Sequence, residues 1–465
     1  MPEGAPRAER ASTVTASTVT GNVIVVDLGY GDAGKGTVVD WLCSPASGTG
    51  VRTVIRFNGG AQASHNVVTT DGREHAFAQF GAGTFTPGVR THLSRFMLVD
   101  PLALAAEASQ LAAAGVGDAL DRLTVDRDAL LTTPYHQAAN RARETARGTG
   151  RHGSCGMGIG ETARFALEFP ADAPRVADCA APRTLARKLA RLREALTSEL
   201  GPLAGPDPTA LADAYRAFAR RVALVDGGYL RQLLRAGPAV FEGAQGVLLD
   251  EWRGFHPYTT WSTTTFANAD ALLADAGHTA QRLGVVRCYM TRHGPGPFPT
   301  EDPTLEVPEP HNRGGRWQGA VRAGHFDAVA LRYAVEVTGG VDALALTHLD
   351  VAARHRLRLC TSYQVDGARM TRIGLGPEHD LAWQEELTRL LLRARPGYEN
   401  PAADWRAWPE VAAQVLGAPV ALVSTGPTAA DKRVLTGARA RHNQRAAAVD
   451  ASRTHRRCGS EGSAV

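Results

Sequence analysis

Between residues 23 and 37 the chain reads VIVVDLGYGDAGKGT, an apolar run that passes into a glycine-rich turn and then towards an amphipathic segment, VVDWL. Glycines let successive backbone N–H groups converge on phosphate oxygens, and a helix starting at such a turn adds the partial positive charge of its N-terminus. Gly29 to Lys35 fits the spacing G-x-x-x-x-G-K, with Gly36 where that motif normally has a metal-binding hydroxyl. Without that hydroxyl, the carboxylate of Asp32 inside the loop is the natural ligand for a magnesium ion. The same residues would also suit a tight strand-to-helix turn with a solvated aspartate. Lysine, however, occurs at only three positions, Lys35, Lys188 and Lys432, in a chain that otherwise uses arginine. A compact ammonium inside a glycine loop therefore points to a tight phosphate pocket.

Strands and helices must hold such a loop in place. Seven β-rich runs alternate with longer Ala/Leu/Arg-rich segments: 22–29, 51–58, 95–100, 239–246, 284–291, 343–350 and 420–426. Several are almost wholly apolar, as strands covered on both faces are, which predicts an α/β fold with a large, mostly parallel central sheet flanked by helices. Ligands of such sheets gather at the carboxyl ends of the strands. Asp32, Asn58, Gln245, Thr291, Asp350 and Ser424 all stand at or near such ends. Segments 182–200 and 208–222 read as surface helices. The Ala/Ser/Thr-rich residues 1–20 and residues 439–465 are expected to be disordered tails around a catalytic domain at 21–438.

Bulk properties exclude more than they identify. Of 465 residues, 44% are hydrophobic and 21% charged, and no apolar run approaches the ~18 residues that a membrane span needs. A formal charge of +4, carried by scattered basic residues, gives little support for nucleic-acid binding. Six cysteines lie far apart without a CxxC pair, which argues against a disulfide framework and a zinc site. No signal peptide is evident, so a cytoplasmic location is expected.

The loop resembles the opening motif GDEGKG of the adenylosuccinate synthetase family, here GDAGKG (31–36), and further segments agree in order. NGGAQASH (58–65) is similar to the family's GGHNAGH, FEGAQGVLLD (241–250) to FEGAQGxLLD, and TRHGPGPFPTE (291–301) to TRVGxGPFPTE. FDAVALRYAV (326–335), LTHLD (346–350) and STGP (424–427) also match, with weak correspondence from about 170 to 235. The resemblance implies a P-loop-like GTP-binding ligase fold, a homodimer, and a reaction in which GTP phosphorylates the 6-oxo group of a purine nucleotide before aspartate displaces the phosphate.

It also implies roles for particular residues. Asp32 would take the proton from purine N1 and bind Mg²⁺, and His65 would donate to O6 as charge moves there. Lys35 would neutralise the γ-phosphate within a GTP-binding loop of Gly31, Asp32, Ala33, Gly34, Lys35, Gly36 and Thr37. The carbonyl of Ser64 would be a second metal ligand. Asp350 would read guanine through N1–H and the exocyclic amine, beside His348, with Ser424, Thr425 and Gly426 closing the pocket. Gln62, Ser154, Cys155, Gln245 and Thr260 would hold the purine nucleotide. Arg164 is the candidate lent across the dimer, and Arg322, with Arg316 or Arg313, would bind the amino acid's carboxylates.

This chain departs from the family pattern where substrates are read. Ala33 replaces a glutamate, Gln62 an asparagine, Ser64 a glycine and His348 a lysine, and GSCGMGIG (153–160) has Cys155 for threonine and Met157 for arginine. The family's arginine-rich TTGRxRRxGWLD is only loosely matched by HNRGGRWQGAVRAGHFD (311–327). A specialised relative using a modified purine nucleotide or another amino acid therefore stays open beside the housekeeping enzyme. A non-catalytic GTP switch or a kinase would use the same phosphate loop, but would not require His65, Gln245 and the arginine-bearing loop.

Overall fold

The computed structural model describes residues 21–312, 314–400 and 404–435; both expected tails, Arg313 and the last three residues of the range 21–438 lie outside the described residues. A ten-stranded sheet forms the centre. In chain order its strands are β1 (Val23–Asp27), β2 (Thr53–Arg56), β3 (Arg90–Leu93), β4 (Leu123–Asp126), β5 (Ala223–Val225), β6 (Ala239–Gly246), β7 (Gln281–Arg287), β8 (Ala343–Thr347), β9 (Val420–Ser424) and β10 (Lys432–Val434). They lie side by side as β10-β9-β8-β7-β1-β6-β2-β3-β4-β5. All neighbours pair parallel except the edge strand β10, which runs antiparallel to β9. The expected α/β architecture is therefore present.

Alternate side chains of the central strands feed two separate cores, as the period of two demands. Val23 and Val25 of β1 join one buried cluster with Val54, Val240 and Leu283. Ile24 and Val26 join the other with Ile55, Phe241, Val286 and Leu344. An apolar residue at nearly every position follows from having protein on both faces.

The strand expectations need two corrections. Residues 95–100 contribute only the short strand Leu98–Val99, paired with Leu130–Leu131 outside the main sheet. The sheet position is taken by β3, whose sequence RTHL has no apolar run; its His92 is buried and bonds Thr124 across the strands at 2.9 Å. The run 284–291 divides into β7 and a second strand, Met290–His293, which pairs antiparallel with Val321–Gly324. The helices expected at 182–200 and 208–222 are found at Pro182–Leu200 and Pro208–Ala219.

β1 leads through the glycine turn into helix α1 (Lys35–Cys43), whose N-cap Gly34 has φ 89° and offers no capping side chain. The first N–H groups of α1 are left for a ligand. Gly36 has a steric cause: a Cβ there would lie 2.9 Å from the Cβ of His65, so α1 and the strand His65–Val68 pack too closely for a side chain. Gly36→Ala is expected to lower stability by about 1–3 kcal/mol in denaturant unfolding. An unchanged midpoint would show that this packing is looser than the distance implies.

Candidate functional site

The phosphate loop is built around Asp27, the last residue of β1 and wholly buried. Its Oδ1 accepts from the N–H groups of Gly29 at 2.7 Å and Gly31 at 3.3 Å, and its Oδ2 from Ala33 N–H at 2.6 Å and Lys35 Nζ at 3.3 Å. Lys35, only 2% exposed, also donates to the Gly31 carbonyl at 2.7 Å. Sequence reasoning passed over Asp27, although a charge closing an otherwise apolar strand was a visible signal.

Asp32 projects from the loop tip. Its Oδ2 meets His293 Nε2 at 3.0 Å and lies 3.5 Å from the Thr291 hydroxyl. Burial alone would raise this carboxyl, but the hydrogen bond and charge of His293, with Arg287 and Lys35 beyond, hold it below its usual value. Asp32 is thus ionised near neutral pH. Asn312, Glu309, Arg287 and Thr291 form a chain behind it: Asn312 Nδ2 donates to Glu309 at 2.6 Å, Arg287 to Glu309 at 2.5 Å and to Thr291 at 2.8 Å.

His65 is buried, with Nδ1 held at 2.6 Å by Glu242 on β6. Glu242 in turn accepts from Ala82 N–H at 2.9 Å. Desolvation pushes the imidazole down to about 4 despite Glu242, whose own carboxyl is held low because Arg56 and His65 outweigh its burial. The ring is therefore neutral at pH 7, with Nδ1–H donating to the carboxylate. Its Nε2 is buried without a partner among the described residues. Glu242 lies within FEGAQGVLLD (241–250), and only the fold shows that it meets His65.

Two cavities meet at these side chains. The smaller, about 360 Å³, is lined by Gly31, Asp32, Gly34, Lys35, Gly36, Thr37, Ser64 and His65, and at its far end by His348, Asp350, Ser424 and Gly426. The larger, about 580 Å³, is lined by Asp32, Ser64 and His65 together with Gln62, Ser154, Cys155, Gln245, Thr260 and His293. Asp32 and His65 border both. In the larger one, Gln62, His65 Nε2, Gln245 Oε1 and His293 Nδ1 are buried polar groups with no partner among the described residues. Such groups carry a desolvation cost that a bound ligand removes.

The loops that present these residues are interlocked. Gly31, at φ 108°, lies against the backbone of Gln245, where a Cβ would come to 3.2 Å, and Gln245 itself has φ 56°. Ser154 donates to Asn140 at 3.0 Å. His348, at φ 60°, turns β8 into the short helix Leu349–Ala352, where Asp350 is paired with Arg354 at 2.9 Å. Ser424 donates to the Gly426 carbonyl at 2.9 Å.

Other expected residues are not gathered here. Ala33 is buried behind the loop and its carbonyl accepts from Thr347 at 2.7 Å. Thr425 turns to the Asp431 carbonyl at 3.4 Å and does not line the smaller cavity. Arg164, on the helix Ile159–Glu168, pairs with Glu161, Glu168 and Glu199 at 3.4, 3.1 and 2.8 Å and borders neither cavity. Arg322 donates to Glu301 at 2.8 Å and to the Gly296 carbonyl at 2.9 Å. Arg316 is exposed and lies over Trp317, 5.0 Å from the ring centroid, while Arg313 is outside the described residues. The two described arginines of the expected carboxylate clamp are thus held apart from both cavities.

A glycine loop on a doubly covered parallel sheet, with a carboxylate and an imidazole shared by two cavities, is the arrangement of a nucleotide-binding α/β protein. The family model for adenylosuccinate synthetase matches residues 24–433. The adenylosuccinate synthetase of Paraburkholderia phytofirmans is 33% identical over 449 residues, covering 87% of this chain and 94% of its own. Among solved structures, the fully ligated adenylosuccinate synthetase of Plasmodium falciparum superposes with TM-score 0.75 at 21% identity, over 90% of this chain and all of its own. The succinoaminodeoxyadenylate synthetase of cyanophage S-2L, bound to dGMP and dATP, does so with TM-score 0.58 at 18% identity, over 92% and 99%. The last two speak for the fold. The chain belongs to the adenylosuccinate synthetase family and is a GTP-dependent ligase, so the switch and kinase alternatives fall.

Asp27→Asn turns an acceptor of several N–H bonds into a group with one donor, against a buried lysine. It is expected to cost about 3 kcal/mol in denaturant unfolding and to weaken GTP binding. Parent-like values for both would show that the loop holds its shape without the carboxylate.

Proposed function

We propose that the protein joins aspartate to C6 of a 6-oxopurine nucleotide, converting IMP, aspartate and GTP into adenylosuccinate, GDP and phosphate. The observation carrying this reading is that Asp32 and His65 border both cavities, where a triphosphate and a purine oxygen would meet. GTP takes the smaller cavity, its phosphates against Lys35 and the first N–H groups of α1, its guanine towards Asp350. The purine nucleotide takes the larger one, against Gln62, Gln245, Thr260 and the Ser154–Cys155 loop.

In the first step Asp32 removes the proton from N1, O6 bonds to the γ-phosphorus, and the bond to GDP breaks. His65 faces O6 through Nε2; protonated there by solvent as the nucleotide enters, it would donate to O6 as negative charge arrives, with Glu242 holding Nδ1–H behind it. In the second step the aspartate amine bonds to C6 and gives up a proton while the C6–O6 bond breaks, so that phosphate leaves with the former O6 and carries that proton away. An ionised Asp32 open to both cavities, with the Ser64 carbonyl nearby, is a hard-oxygen donor set that fits Mg²⁺, which keeps waters and phosphates as its other ligands. Bound there, the ion would neutralise phosphate charge.

A homodimer belongs to the same reading. For Arg164 to reach a partner's nucleotide it must leave three carboxylates of its own chain, so dimerisation would have to offer the guanidinium a stronger anion. A reducing, cytoplasmic setting agrees with five described cysteines that are all free thiols, four of them buried.

Incubation with IMP, aspartate, GTP and Mg²⁺ tests the reading by mass spectrometry: adenylosuccinate should form, and GDP release should depend on both other substrates. Asp32→Ala and His65→Ala should each abolish product while leaving the unfolding midpoint near that of the parent; near-normal turnover in either variant removes its assigned role. Arg322→Leu should raise the KM for aspartate by about tenfold or more with little change in nucleotide KM. Equal shifts in both would mean that Arg322 only braces Glu301.

A further inference from the structure

Of the chain's three lysines, Lys35 serves the phosphate loop and Lys188 pairs with Asp178 at 2.8 Å, but Lys432 has no part in the steps above. It opens the edge strand β10, opposite Ser424 of β9, and is only 9% exposed. Burying an ammonium is costly unless its donors are used. Nζ donates to the carbonyls of Thr428 at 2.8 Å and Gly426 at 3.0 Å, both in the turn that joins the two strands. Burial pulls the amine down to about 8, against the charges of Asp431, Asp40 and Asp350, so the cation is present at pH 7.

That turn forms one end of the smaller cavity: Ser424, Gly426 and Pro427 line it beside His348 and Asp350, whereas Lys432 holds the turn without lining the cavity. Three successive carbonyls of the turn are occupied. Gly426 accepts from Ser424 as well as from Lys432, Pro427 accepts from the Thr37 hydroxyl at 2.5 Å, and Thr428 accepts from Lys432. Asp431 draws in the same turn, taking the N–H and hydroxyl of Thr428 at 2.8 and 2.7 Å, and a Cβ on Gly426 would come within 2.7 Å of its carboxyl carbon. Two carbonyls that share one ammonium cannot rotate independently, so Lys432 fixes the peptide planes between them. A wall set in advance spares a ligand the cost of ordering it. We propose that Lys432 is a positioning residue for GTP: by holding the carbonyls of Gly426 and Thr428 it keeps the turn shaped to receive the guanine, without touching the nucleotide itself.

This rests on the assignment of the guanine to that end of the smaller cavity, and the experiment separates the two. The full chain in Mg²⁺ is titrated calorimetrically with GDP and with inorganic pyrophosphate, then compared with Lys432→Met, Lys432→Gln and Asp350→Ala. Lys432→Met keeps the stem and removes the donors; it should weaken GDP by about tenfold or more while pyrophosphate, which needs only the phosphate loop, stays within about twofold. Lys432→Gln, whose shorter amide reaches one carbonyl, should recover part of that loss and carries the test should Lys432→Met not fold. In turnover, the KM for GTP should rise in Lys432→Met with kcat within about twofold of the parent. Asp350→Ala, which removes the guanine's own partner, should weaken GDP and spare pyrophosphate. If it does so while neither Lys432 variant changes GDP binding by more than about twofold, or if both ligands weaken together in those variants, the role of Lys432 is overturned and the cavity assignment stands. If Asp350→Ala binds GDP as the parent does, the guanine lies elsewhere and both readings fall.

Discussion

A buried carboxylate at the end of the central strand holds the site together. Asp27 is wholly buried, and it is tolerable there because three backbone N–H groups and the Lys35 ammonium surround it. Those bonds draw the chain from Gly29 to Lys35 into a closed loop, and the loop's shape fixes where α1 begins and where Asp32 protrudes. Lys35 is oriented from behind by Asp27 and from the side by the Gly31 carbonyl, so its charge lies at the loop before any anion arrives.

The loop in turn dictates how near its neighbours come. At Gly36 helix α1 meets the strand His65–Val68, and at Gly31 the loop meets the backbone of β6 at Gln245, both so closely that a side chain would crowd its neighbour. This closeness brings His65 and Gln245 to the same place as Asp32, although the three lie on different connections of the sheet. It also explains the missing hydroxyl of the phosphate-loop motif: the space that a serine or threonine at position 36 would need is filled by His65. The departure from the common motif is thus a packing consequence.

Arg322 is neutralised by Glu301 and Arg316 rests on an aromatic face, so in the proposed role Arg322 would have to exchange Glu301 for a carboxylate of the amino acid. The segment 308–312 borders the smaller cavity, and its Glu309 is tied through Arg287 and Thr291 to Asp32. Asp32 and the wall of the smaller cavity are thereby parts of one hydrogen-bonded chain.

Much of this was legible in residue order because the relevant signals are local. An apolar strand, a glycine turn and a rare lysine lie within fifteen positions, and the nearly unbroken apolar runs of the central strands already required two covered faces. The apolar runs placed Asp32, Gln245 and Asp350 at strand ends, the ordered motifs added His65, and all four line the joined cavities. What stayed hidden depends on partners far away in the chain. Strand β3 has no apolar run, since its burial comes from neighbours such as Thr124. Glu242 gains its meaning from His65, 177 residues away, and His293 from Asp32, because a carboxylate or imidazole reads alike on a surface and in a core until the fold shows what it touches. The arginines near 316 and 322 show the converse: residue type suggested a clamp, and only the tertiary structure decided which anions and rings those side chains meet.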